Sequence, residues 1–166
     1  YLPDFKYMES DLAGKYSHAK DYPEIAREAL AEMVRQCPVC EFDERGMMKK
    51  GVIVRHLLLP GHVKDSKAVL KYLHETYQDQ IYISIMSQYT PLSKELPFEE
   101  LNRKVTRREY ERLLGYALVL GIENGFFQCV TQFLDGLSDD KRSATHTIEL
   151  SDVIGAKSCI GTIDKF

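Results

Sequence analysis

The sequence predicts an α/β domain with a parallel sheet, on three observations. First, apolar segments of strand length alternate with amphipathic segments of helical length, which is typical of βαβ units. Second, residues 51–59 are almost continuously apolar, as is typical of a parallel strand covered on both faces. Third, 166 residues suffice for about one domain with a substantial core.

The first elements are predicted to be a strand end, a short helical turn and a longer helix. Residues 1–7 have the pattern of a strand end, and a strand's backbone needs partners, so the chain is predicted to be a fragment. The short turn is expected at 10–16 and the longer helix at 22–36. Asp21 is placed to cap that helix, and Pro23 suits its first turn.

The middle of the chain is predicted to contain one further βα unit and the strand that follows it. A Pro-Gly pair ends the first of these strands, and a polar residue caps the helix. The predicted elements are a polar loop over 37–50, a strand over 51–59, a helix from Asp65 or Ser66 to about Tyr77, and a strand over 80–86.

A long loop, a third helix and a last strand complete the predicted pattern of alternating strands and helices. Thr106 and Glu109 form a capping box, Gly121 can end the helix, and 125–130 has the composition of a strand. We therefore predict about four parallel strands with three helices on one outer side. The domain is expected to span 1–130, followed by a divergent or poorly ordered tail over 131–166.

Composition and charge exclude several classes of protein. The net charge of −3 and the pI near 6.0 give no footprint for nucleic acid or for an anionic membrane. No apolar run approaches the roughly 20 residues that cross a bilayer, and no signal peptide is visible. We predict a cytoplasmic protein with no nucleic-acid or membrane partner.

Charged residues at the ends of predicted strands are the first candidates for a site. Asp4 and Lys6 are two residues apart, so both point to one face of the sheet, as a ligand site or as a solvated edge pair. Arg55 interrupts an apolar strand, and its guanidinium there needs an anionic partner, which is either a ligand carboxylate or Asp4. His56 points the opposite way and is predicted to be a packing residue.

Cys37 and Cys40 form a CxxC pair, which in other proteins binds zinc or forms a redox disulfide. No second pair follows at zinc-finger spacing, and this CxxC follows a helix rather than starting one. We predict that the two cysteines hold no metal. Cys129 lies in an apolar segment and is predicted to belong to the core.

Several strings of the sequence, taken together, carry a family resemblance. They are Asp4-Phe5-Lys6, the string RHLLLPGH at 55–62, and SQYTP at 87–91. In order and spacing they resemble radical S-adenosylmethionine (SAM) activating enzymes, above all the pyruvate formate-lyase activating enzyme-like proteins of the PflX type. The resemblance covers roughly residues 1–128.

The resemblance implies the carboxyl-terminal half of a radical SAM (β/α)6 barrel, a partial TIM-type barrel. A 4Fe-4S cluster on a CxxxCxxC motif would bind SAM and cleave it reductively to a 5′-deoxyadenosyl radical that abstracts hydrogen. Asp4 and Lys6 match the family's acid–lysine pair, and Arg55 matches its fifth-strand arginine. Gln88 or Tyr89 would meet the nucleoside. Implied partners are SAM, a flavodoxin or ferredoxin electron donor, and a protein target of hydrogen abstraction.

Two departures from the family pattern limit what this chain does alone. The CxxxCxxC motif is absent, and the tail from Cys129 does not resemble the family's ending. We therefore predict an oxidoreductase that is active only at full length, and a fragment with no catalytic residue and no metal of its own. The alternatives are a standalone CxxC metal-binding or redox protein, and a non-catalytic half-barrel that assembles with a partner.

Overall fold

A four-stranded sheet lies at the centre of the computed structural model, which describes residues 1–91, 96–128 and 147–149. Along the sheet its strands are β3 (Ile53–Leu57), β4 (Tyr82–Met86), β5 (Gly125–Gln128) and β6 (Thr147–Glu149), in that order. The neighbours β3–β4 and β4–β5 are parallel, whereas β5–β6 is antiparallel.

The predicted parallel pairing of the second and third strands is therefore confirmed, with Arg55 opposite Ser84 in the register. The strand β6 lies in the 131–166 tail, where the sequence indicated no strand–helix unit. The other residues of that tail lie outside the described residues, as do Cys129 and the end of the strand predicted over 125–130.

The first residues of the chain run parallel to β3 on its free side. Asp4 forms a parallel bridge with Arg55, and the backbone N–H of Phe5 donates to the Arg55 carbonyl at 2.9 Å. In return, the N–H groups of Ile53 and Arg55 donate to the carbonyls of Tyr1 and Pro3. The expected strand end is thus present, and with it four parallel segments lie side by side.

Within the described ranges, the chain also contains four α-helices and two short 3-10 turns. The helices are α1 (Ser10–Ser17), α2 (Tyr22–Gln36), α3 (Val63–Tyr77) and α4 (Arg107–Leu120), and the 3-10 turns span Gln78–Gln80 and Glu99–Leu101. The capping box is confirmed, since Thr106 Oγ1 accepts from the Glu109 N–H and the Glu109 carboxylate accepts from the Thr106 N–H. Gly121 ends α4 in the left-handed conformation, with φ of 79°.

Two predicted helix caps are wrong. Asp21 lies at the N-cap position of α2, but its side chain makes no capping hydrogen bond. Asp65 lies inside the first turn of α3 rather than before it, because the helix begins at Val63. Its buried carboxylate accepts instead from the backbone N–H groups of Met8, at 3.0 Å, and Glu9, at 2.8 Å. Asp65 therefore joins the start of α1 to α3.

The polar loop predicted over 37–50 contains a small antiparallel hairpin, so that prediction is also wrong. Its strands are β1 (Glu41–Phe42) and β2 (Met48–Lys50). The turn between them is fixed locally, since Asp43 Oδ1 accepts from the N–H groups of Arg45 and Met47. Gly46 supplies the left-handed residue of that turn, with φ of 73°.

The two faces of the sheet differ in burial. On one face, side chains of all three parallel strands form a single core with the buried residues of α2, α3 and α4. The three helices thus lie on one side of the sheet, as predicted. The buried side chains of the strands on this face include Val54, His56, Ile83, Ile85 and Phe127, and those of the helices include Leu30, Leu70, Leu73, Tyr110 and Leu113.

The opposite face is only half-buried. Ile53, Arg55 and Leu57 of β3 alternate with the buried residues and remain partly exposed, as do their neighbours in β4. Tyr82 stacks on Phe126 of β5, with 5.2 Å between ring centroids, and Phe42 of the hairpin lies against Tyr82. The strand predicted to be covered on both faces is thus covered on one, within the described residues.

Candidate functional site

The strongest candidate among the predicted residues is the pair formed by Asp4 and Arg55. The guanidinium Nε of Arg55 donates to Asp4 Oδ1 at 2.7 Å, across the parallel bridge that their backbones form. Both lie on the half-buried face, and their side chains are 37% and 41% exposed. The predicted need of Arg55 for an anion is therefore met by Asp4. A pair this accessible contributes about 0–1 kcal/mol, so a ligand with both charges can replace it at low cost.

Lys6 extends this pair along the same segment of the chain. Its backbone N–H donates to Tyr22 Oη at 2.9 Å, and the same hydroxyl donates to the Asp4 carbonyl at 3.0 Å. Burial raises the pKa of Tyr22. One helix residue thus fixes the backbone on both sides of Phe5, which holds the candidate charges in place. Within the part of the chain that the structure describes, no hydrogen bond or ion pair engages the exposed Lys6 ammonium.

Gln88 and Tyr89 follow β4 at the carboxyl edge of the sheet. The Tyr89 hydroxyl donates to the Leu101 carbonyl at 3.0 Å, so it is already engaged by the backbone of the 3-10 turn. Burial raises its pKa. The Gln88 side chain lies exposed near Met86 Sδ, at 3.8 Å. The structure thus brings Asp4 and Arg55 together, whereas the Tyr89 hydroxyl bonds to Leu101 rather than to this pair.

The sequence did not indicate a second polar cluster at this edge, made by Lys15, Tyr16, His62 and Glu100. Tyr16 Oη lies 2.7 Å from His62 Nε2 and donates to Glu100 Oε1 at 2.5 Å. Lys15 forms an ion pair with Glu100. These side chains come from α1, from the turn after β3 and from the 3-10 turn after β4. Of the elements that carry these side chains, only the turn at 60–62, with the sequence PGH, has a local pattern that marks it in the sequence.

Charge and burial set the protonation of this cluster. The ammonium of Lys15 is the main reason why the pKa of Glu100 falls to about 2. Burial is the main reason why the pKa of Tyr16 lies well above its usual range. Burial also lowers the pKa of His62. At neutral pH the cluster therefore contains an ionised carboxylate, a protonated phenol and a neutral imidazole.

Glu109 holds the turn that carries His62. Its Oε1 accepts from the Gly61 N–H at 2.7 Å, and both carboxylate oxygens accept from Arg103 at 2.8 Å. These bonds depress the pKa of Glu109, and the bond to Arg103 has the largest effect. Arg107 pairs with Glu111 at 2.7 Å. Arg103 and Arg107 belong to the basic segment 103–108, and both therefore have acidic partners within the protein.

His56 lies on the covered face, as predicted, and is 1% exposed. Its Nδ1 lies 2.8 Å from the Phe5 carbonyl, and within the described residues its Nε2 has no partner. Burial lowers the pKa of His56 to about 4. The ring is therefore neutral at physiological pH, with Nδ1 donating and Nε2 unprotonated.

The cysteine pair offers little to a metal. Cys37 is the C-cap of α2, and Cys40 Sγ donates to the Gln80 carbonyl at 3.4 Å. Both are free thiols, and the described residues contain no group of three or more histidine, cysteine or acidic side chains that could hold a metal ion. A 4Fe-4S cluster needs at least three protein thiolates, so this pair does not fit one.

A comparison with curated proteins finds a distant relative. Over 118 residues the chain is 26% identical to MJ0674, an uncharacterized protein of Methanocaldococcus jannaschii, and the match covers 70% of this chain. It covers 30% of the relative, so the chain spans about a third of that protein's length. No family model matches the chain, and no solved structure matches it. Among the described residues, no helix has the length and apolar character needed to cross a bilayer.

Proposed function

We propose that this chain is the carboxyl-terminal part of a radical SAM barrel and that its half-buried sheet face contributes to SAM binding. The observation that carries the proposal is the exposed Asp4–Arg55 pair, which lies across two parallel segments beside Lys6. Helices packed on one side of a parallel sheet are what one arc of a (β/α) barrel requires. In such an arc the half-buried face is the inner wall.

The charges on this face match the amino-acid part of SAM. Its ammonium is a partner for the Asp4 carboxylate, and its carboxylate is a partner for the guanidinium of Arg55 or the ammonium of Lys6. Binding would exchange one internal ion pair for two ligand pairs, which compensates for the loss of the Asp4–Arg55 bond. Tyr89, whose hydroxyl is engaged by Leu101, would offer its ring rather than its hydroxyl to the nucleoside.

The chemistry of SAM cleavage would come from outside this chain. The cluster would supply the electron that breaks the SAM carbon–sulfur bond, and this chain lacks the CxxxCxxC motif that would hold it. The role left to this chain is to bind and orient SAM, so we expect the isolated chain to be inactive. A flavodoxin or ferredoxin and a protein target are the partners that go with this proposal.

Substitution of Arg55 tests the proposal in the full-length, cluster-reconstituted protein. Arg55→Lys keeps the charge but loses the planar fork, so SAM affinity should fall by about 1–3 kcal/mol, the scale of a charged hydrogen bond. Arg35→Lys is the matched control, because Arg35 pairs with Glu32 on the exposed side of α2. Unchanged SAM binding and cleavage in Arg55→Lys would make Arg55 a structural residue.

A second candidate function is a non-catalytic half-barrel that binds a partner chain through the same face. The half-buried row of Tyr82 and Phe126 beside Arg55 favours it, since partly exposed aromatic and arginine side chains are common at protein interfaces. The sequence that precedes Tyr1 in the gene distinguishes the two functions. A CxxxCxxC motif there supports the radical SAM proposal, and its absence supports the half-barrel.

A further inference from the structure

The cluster of Tyr16, His62 and Glu100 lies where parallel α/β folds place their ligands. His62 follows the carboxyl end of β3, and Glu100 lies in the 3-10 turn that follows β4. Tyr16 belongs to α1, which follows the segment that carries Asp4. Three successive strand ends thus contribute one side chain each, and Phe98 closes one side with its ring 4.9 Å from that of Tyr16.

The hydrogen bonds of the cluster fix the tautomer of His62. Glu100 is ionised and is also paired with Lys15, so it only accepts, and the single proton of the Tyr16 hydroxyl points to it. The Tyr16 oxygen is therefore an acceptor toward His62, and His62 Nε2 must carry the proton at 2.7 Å. A neutral imidazole has one N–H, so the basic lone pair lies on Nδ1.

The Nδ1 atom of His62 is open to a ligand. Within the described residues no hydrogen bond engages it, and the one buried side-chain polar atom without a partner there is His56 Nε2. The Nδ1 atom of half-buried His62 also has no partner among the described residues, but it is not a buried atom. It therefore reaches solvent at the carboxyl edge. The carboxylates of Glu9, Glu100 and Glu109 act electrostatically on His62, against the ammonium of Lys15 and the guanidinium of Arg103 that pairs with Glu109. The remaining excess of one carboxylate among these groups favours a neutral or cationic ligand group over an anionic one.

We infer that His62 is a proton-accepting residue of a ligand site at the carboxyl edge, with Tyr16 and Glu100 as its positioning residues. The group that it receives is a hydroxyl or an ammonium, which donates a hydrogen bond to Nδ1. The arrangement follows the logic of a catalytic triad, in which a carboxylate orients an imidazole so that its outward nitrogen is basic. Here a phenol stands between the carboxylate and the ring. This role of His62 does not depend on what the Asp4–Arg55 pair binds.

Two measurements on the 166-residue chain test this inference. Long-range ¹H–¹⁵N correlation spectra should show His62 protonated at Nε2 alone at pH 7. Tyr16→Phe should lose this single tautomer, because it removes the acceptor of the Nε2 proton. Protonation of His62 at Nδ1 instead, or a tautomer that Tyr16→Phe leaves unchanged, would overturn the inference.

Diethyl pyrocarbonate, which acylates accessible and unprotonated imidazole nitrogens, probes the lone pair directly. By peptide mass mapping His62 should react at a rate similar to that of exposed His18, whereas buried His56 should be protected. His62→Gln should lose the adduct and keep the fold, since its amide still donates to Tyr16. If His62 is as protected as His56, its Nδ1 is closed to ligands and the inference is wrong.

Discussion

The two faces of the central sheet are made by alternate residues of the same strands, yet they differ in nearly every physical property. The covered face is apolar apart from His56, and its side chains are at most 6% exposed. The other face carries a charged pair, a hydroxyl and half-exposed rings. One residue of shift in register would exchange them. The covered face holds the fold together, and the half-buried face is available for binding.

Adjacent leucines on the two faces give the largest expected contrast. Leu58 is fully buried on the covered side, whereas Leu57 is half-buried on the other. Leu58→Ala should lower the free energy of unfolding by about 2–5 kcal/mol, because it leaves a cavity in the core. Leu57→Ala should cost less than half as much. Urea unfolding of the two variants measures this, and equal losses would mean that both faces are core.

The buried histidine predicts a pH dependence of stability. His56 has a pKa of about 4 in the folded protein and an ordinary value of 6.5 in the unfolded chain. Between these values the unfolded state binds more protons, so the free energy of unfolding should fall as the pH falls from 6.5 to 4, by about 3 kcal/mol, and then level off. His56→Asn, which keeps a donor for the Phe5 carbonyl, should remove this part of the slope in pH-dependent urea unfolding. A slope unchanged in this variant would assign the effect to other groups.

Two of the arginine–carboxylate pairs, Arg103–Glu109 and Asp4–Arg55, should differ in strength because their surroundings differ. Arg103 binds both oxygens of Glu109, which is 14% exposed, whereas Arg55 and Asp4 share one bond and are about 40% exposed. A double-mutant cycle should give a coupling energy of about 0.2–1 kcal/mol for Asp4–Arg55. The Arg103–Glu109 cycle should give more, up to about 3 kcal/mol for hydrogen bonds to a charged group. Equal couplings would argue against Asp4–Arg55 as a pair that a ligand can readily replace.

Local patterns in the sequence were sufficient for the elements that pack on the covered face. The apolar run that ends at Leu59 and the capping box at Thr106 predicted the sheet and α4, because each depends on residues close in sequence. The hairpin at 41–50 was missed, since its strands are two and three residues long and its turn depends on two side-chain bonds of Asp43. The start of α3 was misplaced because Asp65 bonds to the distant residues Met8 and Glu9.

The candidate site was predicted only where one strand carried the signal. Arg55 in an apolar run required an anion, and Asp4 supplies it from 51 residues away. The network of Tyr16 with His62 and Glu100 spans sequence separations of 46 and 84 residues. No spacing rule joins such distant positions, because only the packing of α1 and two turns at one sheet edge brings them together.

Methyl NMR of the full-length protein titrated with SAM tests most directly whether the half-buried face binds this ligand, as we propose. Methyl probes of Ile53, Leu57 and Met86 report on that face, and those of Val54, Leu58 and Ile85 report on the covered face of the same strands. We predict saturable shifts for the first group and unchanged positions for the second. Shifts confined to the covered face, or none on either face under conditions where SAM binds, would mean that the half-buried face is not the binding surface.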